Sequence, residues 1–560
     1  MTSDAAAQAA DRVNIASYIP EVARKYPHVR AIVVPGGRLG NGKRSYAHIT
    51  FAELERESNR FARGLLELGV ARGTRVLLMV RPSLEFFPLT FALFKIGAVP
   101  VMIDPGMGRQ GLLASIEKVE PQAFVAIPPA HAARALFPRA FRSVKISVTV
   151  GRRWWWGGPT LEDVRNPDDS PFDLAPTRRD ELAAILFTSG STGPAKGVEY
   201  THGIFDAQTR LIRDEWGIEA GEVDLPAFPL FALFSTALGV TCVIPDMDPS
   251  HPAQVDPARV VEAINDHGVT YSFGSPTFWR RVASYCQSSG ARMPSLRRVF
   301  MAGAPVPPEL LRRFASILEG NVFIPYGATE ALPVAWNSGS NVLRDTAEAT
   351  AAGAGTCVGR VLSVNEVRII RITEEIVREF ADTEVLGPNE IGEIVVRGPT
   401  STRAYFGDQP ATERSKIHDG ANVWHRMGDV GYLDESGRLW FCGRKSHRVE
   451  TSNGVLFSRV EAIFERHPRV YRAALVGVGP RGAQKPVLVV ECESGQRPKS
   501  KPELDDFCRE LLDLAKSSPL SQSIDTFLTH PGLPVDVRHN AKIKRELLGP
   551  WAAGRLGVKA

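Results

Sequence analysis

One stretch of the sequence carries the residue types that a phosphate-binding loop needs. Residues 188–197 read Thr-Ser-Gly-Ser-Thr-Gly-Pro-Ala-Lys-Gly, with three glycines, four hydroxyl side chains and one lysine. Glycines let the backbone approach a polyphosphate, N–H groups and hydroxyls donate hydrogen bonds to it, and the lysine adds positive charge. The preceding apolar run, Leu182–Phe187, is predicted to be a buried strand. A flexible connector rich in hydroxyls is the alternative, and the rest of the chain decides between them.

This loop differs from a Walker-type P-loop at two positions. Lys196 lies six residues after Gly190, as that motif requires. Ala195, however, stands where the motif has glycine, and Gly197 stands where it has serine or threonine. The pattern therefore indicates a phosphate-binding loop of another type.

Two further segments follow predicted strands and have the chemistry to bind a nucleotide. The first, residues 301–305, reads Met-Ala-Gly-Ala-Pro, and small residues there allow a flat base to lie against the backbone. The second, residues 326–330, reads Tyr-Gly-Ala-Thr-Glu and offers an aromatic face, a hydroxyl and a carboxylate. A tyrosine can stack on a base, and a carboxylate can hold Mg²⁺ beside phosphates. A core position for Tyr326 is an equal alternative.

Two more segments supply one carboxylate and one lysine. Asp429, in Met427-Gly428-Asp429, suits the hydroxyls of a ribose, or alternatively a turn. Lys542, in residues 534–545 near the C-terminus, has the alternative of a solvated surface position. Each signal is weak alone, and the order in which they occur is specific.

In this order the segments resemble the acyl-adenylate-forming superfamily, which includes acyl-CoA ligases, peptide-synthetase adenylation domains and firefly-type luciferases. The resemblance covers nearly the whole chain, from residues 50–54 through residues 392–399 and 443–461 to the terminal lysine. It implies catalytic roles for Lys542, Thr329 and Glu330, of which Lys542 bridges the carboxylate and the α-phosphate, Thr329 contacts the α-phosphate and Glu330 binds Mg²⁺. It also implies an ATP site formed by Thr188, Ser189, Gly190, Ser191, Thr192, Gly193 and Lys196 for the phosphates, by Gly303, Ala304, Pro305, Tyr326 and Gly327 for the adenine, and by Asp429 and Arg444 for the ribose.

The chemistry explains why such a site needs positive charge. A carboxylate that attacks the α-phosphorus of ATP approaches another anion, and two unit charges at about 4 Å repel by about 4 kcal/mol at an effective dielectric of 20. Mg²⁺ and a lysine offset this repulsion in the transition state. The resemblance further implies an α/β fold, with a large domain (residues 1–445) of two α/β layered subdomains and a β-rich subdomain. A small mobile α+β domain (446–560) carries Lys542, and its hinge is at Ser446, where the family usually has Asp or Lys.

Two departures from the family pattern bear on the second half-reaction. Ala232 follows Pro229-Leu230-Phe231, where many acyl-CoA ligases have a histidine near the thiol entry route. Asn540-Ala541 precedes Lys542, where Gly-Lys is usual. The phenylalanines at 228, 231 and 234 suit a pocket for a fatty acyl chain, and plain core packing is the equal alternative.

Residues 424–429 and 439–450 are similar to one branch of the superfamily, the β-lactone synthetases of bacterial long-chain olefin biosynthesis. This resemblance implies adenylation of a long-chain 2-alkyl-3-hydroxy fatty acid, followed by attack of its own 3-hydroxyl, and assembly with the β-lactone decarboxylase and the reductase of that pathway. His425, His447 and His539 are candidates for the base. A long-chain acyl-CoA ligase is the second hypothesis, and a catalytically inactive nucleotide-binding subunit is the third.

The composition is compatible with these hypotheses. With 67 basic against 62 acidic side chains the net charge is +5, which is too balanced for a nucleic-acid-binding protein. The six cysteines lack a Cys-x-x-Cys pair, so neither zinc nor a disulfide framework is expected, and a reducing cytoplasm fits. The most apolar run, Leu77–Asp104, is interrupted by charges and is too short to span a membrane. Trp154, Trp155 and Trp156 predict either a loop that contacts a partner or lipid, or a loop folded back on its own domain.

The elements that must position these residues alternate between helix and strand. Apolar residues at helical spacing and short apolar runs alternate over residues 49–127 and again over 260–326, which predicts parallel α/β layers. Residues 350–445 contain short strand-like pieces separated by Gly and Pro and are predicted to be rich in β-strands. The last 115 residues or so have a mixed pattern that predicts a small α+β domain.

Overall fold

The computed structural model describes residues 11–188, 195–536 and 542–558. Up to residue 188, the strands are β1 (Arg30–Arg38), β2 (Arg44–Thr50), β3 (Arg75–Met79), β4 (Val99–Ile103), β5 (Ala123–Ala126), β6 (Ile146–Thr149) and β7 (Leu182–Thr188). The helices of this part are α1 (Tyr18–Lys25), α2 (Phe51–Glu67), α3 (Phe86–Ile96), α4 (Gly108–Val119), α5 (Pro128–Leu136) and α6 (Leu161–Val164).

The middle of the chain contributes most of the strands. They are β8 (Lys196–Thr201), β9 (Val223–Asp224), β10 (Thr241–Val243), β11 (Tyr271–Gly274), β12 (Arg298–Met301), β13 (Asn321–Ala328), β14 (Ala331–Ser338), β15 (Thr356–Val361), β16 (Glu366–Ile370), β17 (Gly392–Arg397), β18 (Lys416–Asp419), β19 (Asn422–Leu433) and β20 (Arg438–Arg444). Its helices are α7 (His202–Trp216), α8 (Ala232–Ala237), α9 (Pro257–His267), α10 (Pro276–Ser289), α11 (Pro308–Ile317), α12 (Gly339–Asn341), α13 (Ala347–Ala351) and α14 (Gln409–Ser415).

The C-terminal elements form sheets of their own. They are β21 (Val449–Thr451), β22 (Gly454–Leu456), α15 (Glu461–Phe464), β23 (Val470–Val478), β24 (Lys485–Cys492), α16 (Lys501–Lys516), β25 (Thr526–His530) and α17 (Arg545–Leu556). Strands β21 and β22 pair with each other, and β23, β24 and β25 form a three-stranded sheet. The mixed α+β pattern of the last residues is thus confirmed, while the domain boundary after residue 445 stays a prediction.

A six-stranded sheet positions the two ends of the phosphate loop. Its order is β6-β5-β3-β4-β7-β8, and all neighbours are parallel except β7 and β8. Strand β7 ends at Thr188, which lies opposite Lys196 at the start of β8. The loop therefore begins and ends at the carboxyl edge of the parallel strands, where α/β proteins usually bind their ligands.

A fourteen-stranded sheet joins the second α/β layer to the β-rich region. Strands β9 to β13 are parallel where they pair, and from β14 onward the pairing is antiparallel. The β-rich character of residues 350–445 is confirmed, and the structure adds that strands β15 to β20 continue the same sheet. The carboxyl ends of β12 and β13 lie side by side, which brings the segments after Met301 and Ala328 to one edge.

Helix α3 accounts for the most apolar run of the sequence. Every residue from Phe86 to Ile96 is buried, and the helix ends at Gly97 in the left-handed conformation (φ 76°). Lys95, which is fully buried, donates from Nζ to Glu55 Oε2 (2.7 Å) and Asn59 Oδ1 (2.5 Å). Within the described ranges, none of the helices combines the length and apolarity of a membrane span.

We expect Lys95→Met to change the pH dependence of stability. Burial lowers the pKa of Lys95 to about 8, whereas a lysine in the unfolded chain titrates at about 10.4. Between these two pH values the unfolded state binds more protons. The free energy of unfolding of the wild type, relative to the variant, should therefore rise with pH by up to about 1.4 kcal/mol per unit. Chemical unfolding of both proteins from about pH 7 to about pH 10 measures this difference.

The exposed Lys145, just before β6, offers the control, since Lys145→Met removes the same charge from the surface. A difference between wild type and Lys95→Met that stays constant over this pH range would contradict the assignment of a low pKa to Lys95.

Candidate active site

A buried carboxylate, Asp429, lies at the centre of the site. It is 4% exposed and lies on β19 directly opposite Arg444 on β20. The hydroxyl of Tyr326 donates to Asp429 Oδ2 (2.7 Å), and Arg444 Nη1 lies 2.7 Å from Oδ1. Burial raises the pKa of Asp429, and the charges of Arg444 and Lys542 and the hydrogen bond from Tyr326 lower it. Tyr326, Asp429 and Arg444, predicted from separate segments, are therefore brought together.

The partners of Asp429 stay in the protonation states that a ligand site needs. Burial, together with the Asp429 carboxylate, raises the pKa of Tyr326 well above its usual value, so its hydroxyl remains a donor. The same carboxylate raises the pKa of Arg444. Arg444 also donates to the carbonyl oxygen of Met427 (3.2 Å), which fixes the guanidinium beside Asp429.

Lys542 reaches this site from the C-terminal part of the chain. Residues Val535 and Ile543 form an antiparallel bridge. Lys542 N donates to Asp536 Oδ1 and Asp536 N donates to Lys542 O, both at 3.0 Å. The charge of Lys542 lowers the pKa of Asp429, so the two groups interact electrostatically. Asn540, Ala541 and His539 lie outside the described residues, so the altered turn before the lysine stays a prediction.

Thr329 and Glu330 follow β13. Hydrogen bonds from neighbouring residues fix their backbone carbonyl oxygens and the carboxylate of Glu330. The hydroxyl of Tyr200 donates to the carbonyl oxygen of Thr329 (2.6 Å). Thr402 donates to the carbonyl oxygen of Glu330 from its backbone N (2.8 Å) and its hydroxyl (3.1 Å). The hydroxyl of Tyr405 donates to Glu330 Oε1 (2.8 Å), so the carboxylate has a defined direction.

A connector that the sequence analysis missed joins the phosphate loop to Glu330. This segment, residues 401–406, forms bridges between Ser401 and Ala331 and between Tyr405 and Val198 on β8. Phe406 N also donates to Gly197 O (2.8 Å). Lys196 Nζ, the lysine of the phosphate loop, lies 4.8 Å from the centre of the Tyr405 ring, within the range of a cation–π interaction. Single bridges leave no strand pattern in a sequence, so only the aromatic pair Tyr405-Phe406 could have signalled this role.

A second missed residue is Lys416 on β18, which is 2% exposed. Its Nζ donates to the carbonyl oxygen and, at 3.1 Å, to the hydroxyl of Thr402, the residue that binds the backbone of Glu330. Burial lowers the pKa of Lys416 to about 7, with Lys196 lowering it further and Glu330 opposing. A lone lysine in a short strand resembles any surface lysine in sequence, which is why its role was not predicted.

Two of the three candidate histidines lie near these groups. His425 on β19 is 2% exposed and lies opposite Lys416, and burial together with the Lys416 charge lowers its pKa far below the usual value. Burial, with the charges of Arg545 and Arg444, lowers the pKa of His447 to about 4. In both cases burial and the neighbouring positive charges disfavour the protonated imidazolium.

The segments predicted to line an adenine are built from small residues. Gly303 adopts the left-handed conformation (φ 92°), and both it and Pro305 are exposed, while Ala304 is half-buried. A Cβ at Gly327 would lie 2.6 Å from the carbonyl oxygen of Ala331, so a side chain there would displace backbone. Gly327 therefore allows the turn between β13 and Ala331 to close tightly beside Tyr326.

Among the described residues of the site, Glu330 is the single side chain that we expect to bind Mg²⁺. Within the described ranges, no group of three or more His, Cys, Asp or Glu side chains could hold a metal ion. Mg²⁺ is commonly bound by one or two carboxylates together with the phosphates of a substrate. The carboxylate of Glu330, oriented by Tyr405 near Lys196, matches that mode. Residues 189–193 of the predicted ATP site lie outside the described residues, and Thr188 is the last residue of β7.

A row of aromatic rings extends from Thr329 toward α8. Tyr200 contacts Phe205 (4.9 Å between centroids), Phe205 contacts Phe234 (5.9 Å), and Phe231 contacts both Phe234 (6.1 Å) and Phe273 (4.1 Å, stacked). The half-buried rings of Phe231 and Phe234 thus belong to one apolar wall beside the site. Ala232, at the start of α8, is fully buried.

Comparison with known proteins agrees with this site. The chain belongs to the family of AMP-binding enzymes, whose model matches residues 19–406, and it is an ATP-dependent, AMP-forming synthetase. The olefin beta-lactone synthetase of Xanthomonas campestris is 49% identical over 550 residues, which is 96% of this chain and 97% of that one. That of Stenotrophomonas maltophilia is 48% identical over 98% of this chain and 99% of its own. The amide bond synthetase McbA of Marinactinospora thermotolerans has the same fold, with a TM-score of 0.78, 23% identity and coverage of 96% of this chain and 99% of that one.

We expect Tyr405→Phe to slow adenylate formation by about tenfold or more, because a hydrogen bond to a charged group contributes about 1.5–3 kcal/mol and tenfold corresponds to about 1.4 kcal/mol. The hydroxyl that orients Glu330 is lost, while the ring that faces Lys196 stays. ATP–pyrophosphate exchange with a carboxylic acid substrate measures the effect.

Tyr432→Phe is the matched control, since its hydroxyl donates to the carbonyl oxygen of Ala354 (3.1 Å) and has no contact with Glu330. Exchange at the wild-type rate in Tyr405→Phe would show that this hydroxyl does not position the carboxylate.

Proposed function

We propose that this protein is a β-lactone synthetase that activates a long-chain 2-alkyl-3-hydroxy fatty acid with ATP and closes the lactone by attack of the substrate's own 3-hydroxyl. The observation that carries this proposal is the identity of nearly one half, over almost the full length, to two proteins named olefin beta-lactone synthetase. The convergence of Asp429, Arg444 and Lys542 supports the adenylation step.

In the first half-reaction a carboxylate oxygen attacks the α-phosphorus, and pyrophosphate leaves. Asp429 accepts hydrogen bonds from the ribose, and Arg444 and Tyr326 hold that carboxylate in place. Lys542 offsets the repulsion between the carboxylate and the α-phosphate, and Thr329 contacts the phosphate. The phosphate loop, from Thr188 to Lys196, holds the β- and γ-phosphates. When bound at Glu330, Mg²⁺ neutralises phosphate charge.

In the second half-reaction the 3-hydroxyl oxygen attacks the activated carbonyl, and AMP leaves with the oxygen that joins it to the acyl group. The nucleophile is tethered, and effective molarities of about 10⁵–10⁸ M for well-oriented tethered groups can offset the strain of a four-membered ring. The aromatic wall beside Thr329 provides an apolar surface for the acyl chains and excludes water that would hydrolyse the adenylate. The hydroxyl proton requires an acceptor, for which His425, His447 and His539 are the candidates from the sequence.

The fully buried Ala232 supports lactone formation rather than thioester formation. A histidine is usual at this position in many acyl-CoA ligases, and a methyl group can neither donate nor accept a proton. No second substrate is needed for lactone formation. The pathway partners proposed from the resemblance are the reductase that would supply the hydroxy acid and the decarboxylase that would consume the lactone.

The proposal is tested by incubating the purified protein with ATP, Mg²⁺ and a 2-alkyl-3-hydroxy acid, with and without CoA. We expect the β-lactone, AMP and pyrophosphate in both cases. The matched 2-alkyl acid without the 3-hydroxyl should support pyrophosphate exchange but give no lactone. A product formed only with CoA, as a thioester, would refute the proposal and establish a long-chain acyl-CoA ligase instead.

We expect Lys542→Ala to slow ATP–pyrophosphate exchange by about 10²-fold or more, as the loss of one preorganised electrostatic group at a transition state usually does. Lys544→Ala, two residues further along, removes a nearby lysine from the same segment and should exchange at close to the wild-type rate. Exchange that is unaffected by Lys542→Ala would exclude the role proposed for this lysine, and the absence of exchange in the wild type would indicate an inactive nucleotide-binding subunit.

A further inference from the structure

The three consecutive tryptophans form a loop with one ring turned inward and two turned outward. We call residues 151–158 the tryptophan loop. Trp156 stacks on His131 of α5, with 5.2 Å between centroids and an angle of 17°, and its Nε1 donates to Thr149 Oγ1 (2.9 Å). Trp155 is 71% exposed and Trp154 is 49% exposed. The contacts of Trp156 fix the loop on its own subdomain. The rings of Trp154 and Trp155 therefore face solvent from a loop whose position is fixed.

The surroundings of the loop are basic. From residue 121 to residue 161 the chain has no Asp or Glu, and it has six basic residues, namely Arg134, Arg139, Arg142, Lys145, Arg152 and Arg153. All of these except Arg134 are exposed. Leu136, at the end of α5, is 75% exposed and adds an apolar group to the same stretch.

Few carboxylates offset this charge. A carboxylate oxygen of Glu120 lies 3.4 Å from the guanidinium of Arg142, and the charge of Arg153 contributes to lowering the pKa of Asp163. Arg139, Lys145 and Arg152 have no ion pair within the described ranges. The whole chain is close to balanced in charge, so this concentration of positive charge is a local property.

The tryptophan loop opens at the same edge of the sheet as the phosphate loop. It follows the carboxyl end of β6, and the phosphate loop follows the carboxyl end of β7. The strands are parallel in the order β6-β5-β3-β4-β7, so four strand spacings, or about 19 Å at about 4.8 Å each, separate the two loops. A surface bound to the tryptophan loop would therefore lie on the side of the protein where the site opens.

We propose that the tryptophan loop and the basic stretch around it dock this protein on an anionic lipid surface. Tryptophan rings prefer the interface between headgroups and acyl chains, with their apolar face in lipid and their N–H toward water. Exposed arginines and lysines next to them attract anionic headgroups. The combination of two outward rings with uncompensated positive charge has the chemistry of such an interface, and the inference stands independently of the proposed reaction.

Binding of the full-length protein to vesicles tests this proposal. Co-sedimentation with phosphatidylcholine vesicles that contain phosphatidylglycerol should show binding that weakens with added salt and is much weaker for phosphatidylcholine alone. Two double variants, Trp154→Ser/Trp155→Ser and Arg152→Gln/Arg153→Gln, should each lower the affinity by about tenfold or more. Both change exposed side chains outside the active site, so ATP–pyrophosphate exchange and thermal stability confirm that the variants fold.

The matched control is Ile376→Ser/Arg378→Gln, which removes an exposed apolar residue (Ile376, 45% exposed) and an exposed arginine from a different surface. This control should bind as the wild type does. Failure of the wild type to bind anionic vesicles would overturn the proposal, and so would wild-type binding by the tryptophan variant. Neither result would bear on lactone formation, which is assayed with soluble substrate.

Discussion

The site depends on one buried negative charge. Asp429 is nearly inaccessible to water, and an isolated carboxylate in such a place would lose its charge. Its hydrogen-bond and ion-pair partners are Tyr326 from β13 and Arg444 from the neighbouring strand β20, and the charge of Lys542 from the C-terminal segment also lowers its pKa. Stabilising this carboxylate therefore brings β13, β19 and β20 together at the candidate site, and the charge of the terminal lysine contributes to its stabilisation.

The reaction imposes a second requirement, which the connector of residues 401–406 meets. In the proposed reaction the enzyme must hold the leaving pyrophosphate and the carboxylate of Glu330 in a fixed relation. Lys196 belongs to the six-stranded sheet, whereas Glu330 lies between two strands of the fourteen-stranded sheet. The connector contacts β8 through Tyr405 and Phe406 and contacts the Glu330 region through Ser401 and Thr402. Tyr405 also lies between the carboxylate of Glu330 and the ammonium of Lys196. Lys416 stabilises this arrangement, because its ammonium group donates a hydrogen bond to the hydroxyl of Thr402.

Much of the fold was predictable, because the spacing of apolar residues along the sequence shows which faces of the helices and strands are buried. Helix α2 begins at the capping box of Thr50 and Glu53, and strands β12 and β17 match apolar runs that can be read directly in the sequence. The residue types of Tyr326, Asp429 and Arg444 singled them out in the sequence, and the structure joins them, with Tyr326 and Asp429 inside strands and Arg444 at the end of one. The connector and Lys416 were not predictable, since their roles come from isolated bridges and single long-range hydrogen bonds. Sequence alone also could not divide the tryptophans into one inward and two outward rings, because that depends on the stacking of Trp156 on His131.

In the proposed reaction the carboxylate is activated and the 3-hydroxyl then attacks it. A 3-hydroxy acid labelled with ¹⁸O in both carboxylate oxygens tests this most directly, with mass spectrometry of the AMP and the lactone. Activation at the carboxylate predicts one ¹⁸O in AMP and one in the lactone carbonyl, with the ring oxygen coming unlabelled from the hydroxyl. Unlabelled AMP and a lactone that keeps both labelled oxygens would mean that the hydroxyl was activated and displaced, and would contradict the account.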